Sequence, residues 1–322
     1  MLEFNFQIKQ QPELIKKARE LALSSNRSAV AFLIKQMGVR PSNTRNEAYY
    51  GEVLDYLCGN LFAHANMPAE AAAAIEASNV LPYAGGDVPY HDAARDGVAI
   101  GLAQDEAIER GAPAIMLASM PRAASAALTQ TLAKITGAPI VRISIGAFPD
   151  YWLVPVWLNR FLRGGAILHD HFSASEFNLN ALRSSGVDTV NVLVRDPRAA
   201  AVSFAKLSFG AQATDDSIAY AYSQYLPWLQ GWIDAEKSRA INIRWIRSRD
   251  VIGGSDGLNA VLTALLGHGS PFAAAIRDVT LAVANVSGQK ADAWRNSVSS
   301  GLRRKMWDRL SAEIIDRLEL HQ

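Results

Sequence analysis

The segment Leu168-His169-Asp170-His171-Phe172-Ser173 sets two histidines either side of an aspartate. In an extended strand alternate side chains share a face, so His169 and His171 point the same way. Such a pair suits proton transfer near neutral pH or metal ligation, and Asp170 is placed to orient a histidine or pair with an arginine. The same residues serve equally well as satisfied core or capping groups. Few other ligand residues lie nearby in the sequence, which favours proton transfer over a metal centre.

Two further segments carry anion-binding chemistry. Ile115-Met-Leu-Ala-Ser-Met-Pro121-Arg122-Ala123-Ala124-Ser125-Ala126-Ala-Leu reads as a buried strand, a tight turn and a helix. The helix N-terminus leaves backbone N–H groups unpaired, its dipole favours an anion, and the small residues let a phosphate or sulfate approach the backbone. Arg122 adds a charge-assisted contact. The Gly-rich run and Gly-Lys-Ser/Thr ending of a Walker loop are missing. In Val190-Asn-Val-Leu-Val-Arg195-Asp-Pro-Arg-Ala-Ala-Ala-Val-Ser203-Phe, an arginine ends a buried strand, where open α/β sheets place their ligands. Ser203 follows two helical turns later, so Arg195 and Ser203 form a compact phosphate clamp. The plain alternative is an Arg195–Asp196 cap pair and a solvent serine.

The elements that would position these residues are legible in the texture of the chain. Residues 1–110 read as helical, with runs such as Pro12–Leu23 and Pro68–Ala77 and a loop at Pro82–Pro89. From Ala112 short apolar runs alternate with helical patterns, which argues for βαβ units and a mostly parallel sheet. The expected strands are Ala114–Ala118, Ile140–Ile145, Ala166–His169, Val190–Val194 and Ile241–Ile246. The helix after the first strand should stop at Gly137; the helix after the fourth should begin at Asp196-Pro197 and stop at Gly210. Val298, Leu302, Met306, Leu310, Ile314 and Leu318 recur at helical spacing, which predicts one long C-terminal helix. The fold class is therefore α/β, with a three-layer arrangement expected over residues 111–322 and a helical region before it.

Bulk properties narrow the function. The chain has 322 residues, 49% of them hydrophobic and 20% charged, an ordinary globular composition. Thirty-two basic residues nearly cancel 31 acids, so no global field points to nucleic acid or an anionic membrane. Cys58 is the one cysteine, which rules out an internal disulfide and a cysteine metal cage. Met1-Leu2-Glu3-Phe4-Asn5 opens no signal-peptide pattern, and the apolar stretch Tyr151–Leu168 is broken by Asn159, Arg160 and Arg163. A cytoplasmic location is the expectation.

Together the two anion-binding segments resemble the donor-binding signatures of the sulfotransferases that use 3′-phosphoadenosine 5′-phosphosulfate (PAPS). The first is similar to the family's 5′-phosphosulfate loop, usually Pro-Lys/Arg-Ser-Gly-Thr-Thr. The second is similar to its 3′-phosphate motif, Arg-Asp-Pro with a serine at the spacing of Arg195 to Ser203. The resemblance implies that Arg122 and the backbone from Ala123 and Ala124 through Ser125 and Ala126 hold the 5′-phosphosulfate, with Arg122 also acting on the transferred group. It implies that Arg195 and Ser203 hold the 3′-phosphate. Ile241–Asp250 looks like the family's later strand and turn. Ser287-Gly288-Gln289-Lys290-Ala-Asp-Ala-Trp294-Arg295 looks like its nucleotide-closing loop, which places Gly288 and Lys290 on the donor.

By the same register His171 falls on the family's histidine base and His169 on a lysine position, with Glu176 as the alternative base. The chain departs from the pattern at Ala123-Ala124, where Ser-Gly is usual, and at Ser125-Ala126, where two threonines are common. The function implied is sulfuryl transfer to a hydroxyl or amine of a small-molecule or carbohydrate acceptor. A non-catalytic binding domain and a small-molecule kinase are the competing readings. The aromatic segment Phe148–Leu162 is read as an acceptor pocket or lid, or else as core. The residues from Tyr220 to Trp232 are read as a packed helix face. Residues 1–110 are assigned to an acceptor-site cap, a homodimer contact or a partner-binding element.

Overall fold

The computed structural model describes residues 59, 62–63, 66–78, 80, 90–277 and 293–320. The expected helix Pro12–Leu23, the loop at Pro82–Pro89 and the donor residues Gly288 and Lys290 lie outside them. Helices α1 (Pro68–Ala77) and α2 (Tyr90–Glu109) come first, followed by an α/β body. Ile75 and Ala71 of α1 belong to the same buried cluster as the sheet. The indole N–H of Trp157 donates to Val80 O at 2.6 Å, and Gln104 Nε2 donates to Gly164 O at 2.8 Å. The close approach of α2 requires glycine at 165: its φ is +65°, and a Cβ there would sit 2.4 Å from Gln104 O.

The sheet is built from two parallel three-stranded ladders. One runs β1 (Ala114–Ile115), β6 (Ala166–Leu168), β3 (Ile140–Val141). The other runs β2 (Leu117–Ser119), β7 (Thr189–Val194), β8 (Asn242–Arg247). β1 and β2 are one expected strand interrupted at Met116, whose carbonyl accepts from Asn191 Nδ2 at 2.8 Å. A parallel bridge between Ala118 and Asp170 joins the ladders across this break. In β7 neighbouring residues are buried whichever way they point, so the strand reads as a near-continuous apolar run: Val190, Val192, Leu193 and Val194 are all buried.

The helix boundaries follow local chemistry. Helix α3 (Ser125–Thr136) ends on Gly137 in the left-handed region. Helix α6 (Pro197–Phe209) starts with Asp196 accepting from the Arg198 amide and Pro197 at its first position, and it ends at Gly210. Helix α7 (Asp215–Lys237) buries Tyr222, Tyr225, Trp228 and Trp232, while Tyr220 is exposed. The expected packed face is therefore present except at Tyr220.

Two expectations are corrected. The strand expected at Ile140–Ile145 stops at Val141. Ser144–Ala147 (β4) instead pairs antiparallel with Asp150–Leu153 (β5) in a hairpin, followed by α4 (Pro155–Phe161). Gly146, with φ of +111°, sits where a Cβ would lie 2.4 Å from Asp150 O, so the chain turns back here rather than extending the sheet. The single C-terminal helix is two, α11 (Ser300–Asp308) and α12 (Ala312–Leu318). Ser311 caps the second by accepting from the Ile314 amide. The apolar face survives the break: Leu302, Met306, Leu310, Ile314 and Leu318 are all buried.

Helix α5 (Glu176–Ser184) lies between β6 and β7, and α8 (Ser248–Ile252), α9 (Ser255–Leu266) and α10 (Ala273–Arg277) follow β8. Among the described residues no helix is long and apolar enough to cross a membrane.

Candidate functional site

The carboxyl ends of β2 and β7 lie side by side, because Leu117–Ser119 is in register with Asn191–Leu193. A cavity of about 470 Å³ opens there. The chain leaves β2 toward α3 and β3 on one side, and leaves β7 toward β8 on the other, so the cavity sits where the winding direction changes. This is the position at which open α/β sheets bind ligands. Pro121, Arg122, Ala124, Ser125 and Ala126 from the turn after β2 line it, with Arg195 and Ser203 from the β7 end and α6. His169 and His171 complete the polar wall, and Phe204, Leu207 and Ile252 form an apolar one. The lining holds two arginines and no carboxylate. Ala123 is buried beneath the turn and does not line the cavity.

The turn is held in a conformation that costs energy. Arg122 has φ of +68° and Ala124 φ of +69°, in the left-handed region that L-residues other than glycine enter at a cost of roughly 1–2 kcal/mol. Ala124 is the N-cap of α3, and its side chain supplies no cap hydrogen bond. The strained turn is braced from outside: buried Tyr225 donates its hydroxyl to Pro121 O at 3.2 Å. Burial raises the Tyr225 phenol well above its ordinary value, so it stays a neutral donor beside Arg122 and Arg195.

Arg122 and Ser203, far apart in sequence, meet through a 3.0 Å bond from Arg122 Nε to Ser203 Oγ. Arg195 Nη1 donates to Arg122 O at 3.3 Å. Ser203 thus pairs directly with Arg122, and Arg195 is anchored on the backbone of the same turn. Burial and the nearby Arg122 lower the Arg195 pKa, with Asp196 acting in the opposite direction. Asp196 itself is held by Arg198, which is buried and forks onto it with Nε at 3.0 Å and Nη2 at 2.9 Å. The Arg198 guanidinium lies between the rings of Trp294 and Trp307, 5.1 and 5.0 Å from their centroids. This stack fastens the C-terminal segment to the root of the Arg195 turn.

The histidines share one face, as expected, with ring centroids 5.6 Å apart. His171 Nδ1 is 2.7 Å from Ser119 O. A carbonyl only accepts, so Nδ1 carries the proton and Nε2 holds the lone pair. His169 Nε2 is 2.9 Å from Ser125 Oγ at the start of α3. Burial, then the charge of Arg142, lowers His169 to about 4. Burial, Arg142 and His169 lower His171 to about 3. Both rings are neutral at physiological pH.

Asp170, expected to orient a histidine or pair with an arginine, directs its carboxylate to Ser144 and two backbone amides instead. It is fully buried and accepts from Ser144 Oγ at 2.5 Å, from the Ile143 amide at 3.1 Å and from the His171 amide at 2.8 Å. It is a brace that ties the end of β6 to the start of the hairpin. Glu176 is exposed in the first turn of α5 and does not line the cavity.

Of the two roles expected of the aromatic segment, the core role is the one observed, and no residue of the segment lines the cavity. Trp152, Trp157 and Phe161 are core. Tyr151 stands 6.0 Å from the His171 ring, and Phe148 packs 5.1 Å from Tyr225. Asn178 fixes this placement by donating to Tyr151 O at 2.8 Å and accepting from the Leu153 amide at 2.8 Å.

Several site residues escaped the sequence reading. Ser119 and Tyr225 act through pairings that no spacing encodes. Arg142 was detectable in principle, since it directly follows β3 at the ligand-binding edge of the sheet. Its guanidinium lies 5.5 Å over the Tyr151 ring. Among the described residues no cluster of three or more His, Cys, Asp or Glu could hold a metal ion. Comparison with protein-family models, with curated proteins and with solved structures finds no match to this chain.

Proposed function

We propose that this chain is a PAPS-dependent sulfotransferase, with a three-layer body whose strand–turn–helix after β2 works as a P-loop-like anion cradle. One observation carries the reading. Two arginines, the start of α3 and a histidine with a defined lone pair converge on one cavity whose lining has no carboxylate. That donor set suits a ligand carrying phosphate and phosphosulfate groups. The α3 amides and Arg122 suit one group, and Arg195 with Ser203 suits the other. When bound, PAPS supplies an activated sulfuryl group and a bisphosphate leaving group.

The residues of the chain divide the remaining work. Arg122 and the α3 N-terminus would hold the phosphosulfate end and supply positive charge against the charge that develops on the leaving group. Arg195 and Ser203 fix the far end of the donor and so its line of approach. His171 Nε2 would take the proton of an acceptor hydroxyl or amine, with Nδ1–H anchored on Ser119 O. Tyr151, 6.0 Å from the His171 ring, would offer an aromatic surface beside the base.

The test is calorimetric titration with 3′-phosphoadenosine 5′-phosphate, with ATP and ADP as controls. Tight binding of the bisphosphate with weak binding of ATP supports the reading. Preference for ATP with Mg²⁺, or no binding of either, overturns it.

A further inference from the structure

The Ser125–His169 pair has no role in the chemistry described so far. It stands at the mouth of the anion cradle, and both residues line the cavity. Ser125 is the first residue of α3, where backbone amides and dipole favour an anion. We infer that His169 takes up a proton when the donor binds and thereby turns the hydroxyl of Ser125 onto the bound anion. The inference rests on the donor reading above and adds a proton-coupled ligand to it.

The argument follows from donors and acceptors. A neutral imidazole offers one donor and one acceptor, so Ser125 and His169 can satisfy each other with the hydroxyl hydrogen pointing at the ring. An imidazolium has only donors. Its Nε2–H then donates to Ser125 Oγ, and the serine hydrogen is released toward the cavity. The proton comes from solvent, and no other bond changes.

The charges facing His169 set the direction. Burial, and after it Arg142 directly following β3, holds the ring neutral, and Asp170 opposes them. His171 is its neighbour on the same face, and Arg122 and Arg195 line the same cavity. Against this cationic surrounding a bound anion of several charges supplies the missing negative potential. Of the two histidines, His169 touches the cradle, whereas His171 is tied to Ser119 and must keep its Nε2 lone pair to act as base.

The experiment is a pH titration of the full-length protein carrying ring-labelled histidine, followed by NMR with and without saturating 3′-phosphoadenosine 5′-phosphate. His169→Gln assigns the resonance. The expected result is a His169 signal neutral down to about pH 5 in the free protein and raised by about two pH units or more in the complex. Ser125→Ala should reduce that rise. The affinity ratio of native protein to His169→Gln should grow by up to about tenfold per unit fall in pH below the bound-state pKa. Should His169→Gln not fold, binding heats of the native protein in two buffers of different ionisation enthalpy count the proton directly, and uptake is expected. Nucleotide binding with an unmoved His169 titration and no proton uptake overturns this inference and leaves the donor reading standing. Absence of nucleotide binding from pH 6 to 8 overturns both.

Discussion

The ring of His171 and the carbonyl of Ser119 are joined by a 2.7 Å contact that sets which nitrogen of the ring is basic. Ser119 is the last residue of β2, so the strand that leads into the Pro121–Ala124 turn also sets the His171 tautomer. His171→Ala should leave binding of 3′-phosphoadenosine 5′-phosphate unchanged and lower turnover by about a hundredfold or more, the usual weight of a general base. Calorimetry and an acceptor turnover assay separate the two effects, and full turnover in the variant removes His171 from the mechanism.

Arg195→Ala removes a charged donor from the β7 end of the cavity. Loss of a charge-assisted bond to phosphate costs about 2 kcal/mol, or roughly thirtyfold in affinity. Titration with the bisphosphate checks this, and an affinity within about twofold of the native protein would place the 3′-phosphate elsewhere.

Ala124 occupies the left-handed region at φ of +69°. Ala124→Gly removes the Cβ conflict, worth roughly 1–2 kcal/mol, and adds unfolded-chain entropy that offsets part of it. A net stabilisation of about 0.5–1 kcal/mol is expected in urea unfolding. Under the proposed function donor binding should be kept, since the proposal assigns it to backbone amides and not to the Ala124 side chain.

Arg198→Ala leaves Asp196 without its fork and opens the space between Trp294 and Trp307. Breaking a buried, hydrogen-bonded pair costs about 3 kcal/mol. Urea unfolding should register that loss, and a change under about 1 kcal/mol would mean that the stack contributes little.

The lowered histidines also make stability depend on pH. Their folded pKa values, about 4 and about 3, lie below the ordinary 6.5, so the unfolded chain binds more protons between these limits. Their contribution is complete above pH 6.5 and is lost as pH falls toward 4, at up to roughly 1.4 kcal/mol per pH unit for each ring. Urea unfolding at pH 7, 6 and 5 should show the decline, and His171→Asn should flatten it. A native protein equally stable at pH 5 and pH 7 would contradict the neutral assignment.

Local chemistry made much of the fold legible. Asp196-Pro197 and Gly210 bound a helix because an aspartate can cap an amide, a proline needs no donor at a helix start, and a glycine relieves its end. Apolar runs such as Val190–Val194 announce strands buried on both faces. The hairpin after Val141 was not legible, because the apolar pattern at Ile143 and Ile145 suits an extension of the sheet as well as a turn-back. Only the packing of Gly146 against Asp150 and the Asn178 brace decide between them. The split of the C-terminal helix was hidden similarly, since the apolar period runs unbroken through Ser311.

For the site, the sequence by itself determined the chemical types and their approximate addresses: Arg122 after one strand, Arg195 after another, His169 and His171 after a third. Tertiary structure alone decided the partnerships. That Arg122 meets Ser203, that Ser119 rather than Asp170 orients His171, and that Ser125 meets His169 all depend on which strands lie side by side. Side-chain period and turn chemistry act over a few residues and fix where each strand ends. Strand order is settled by burial and hydrogen bonding summed over the whole sheet, and no short segment carries that information.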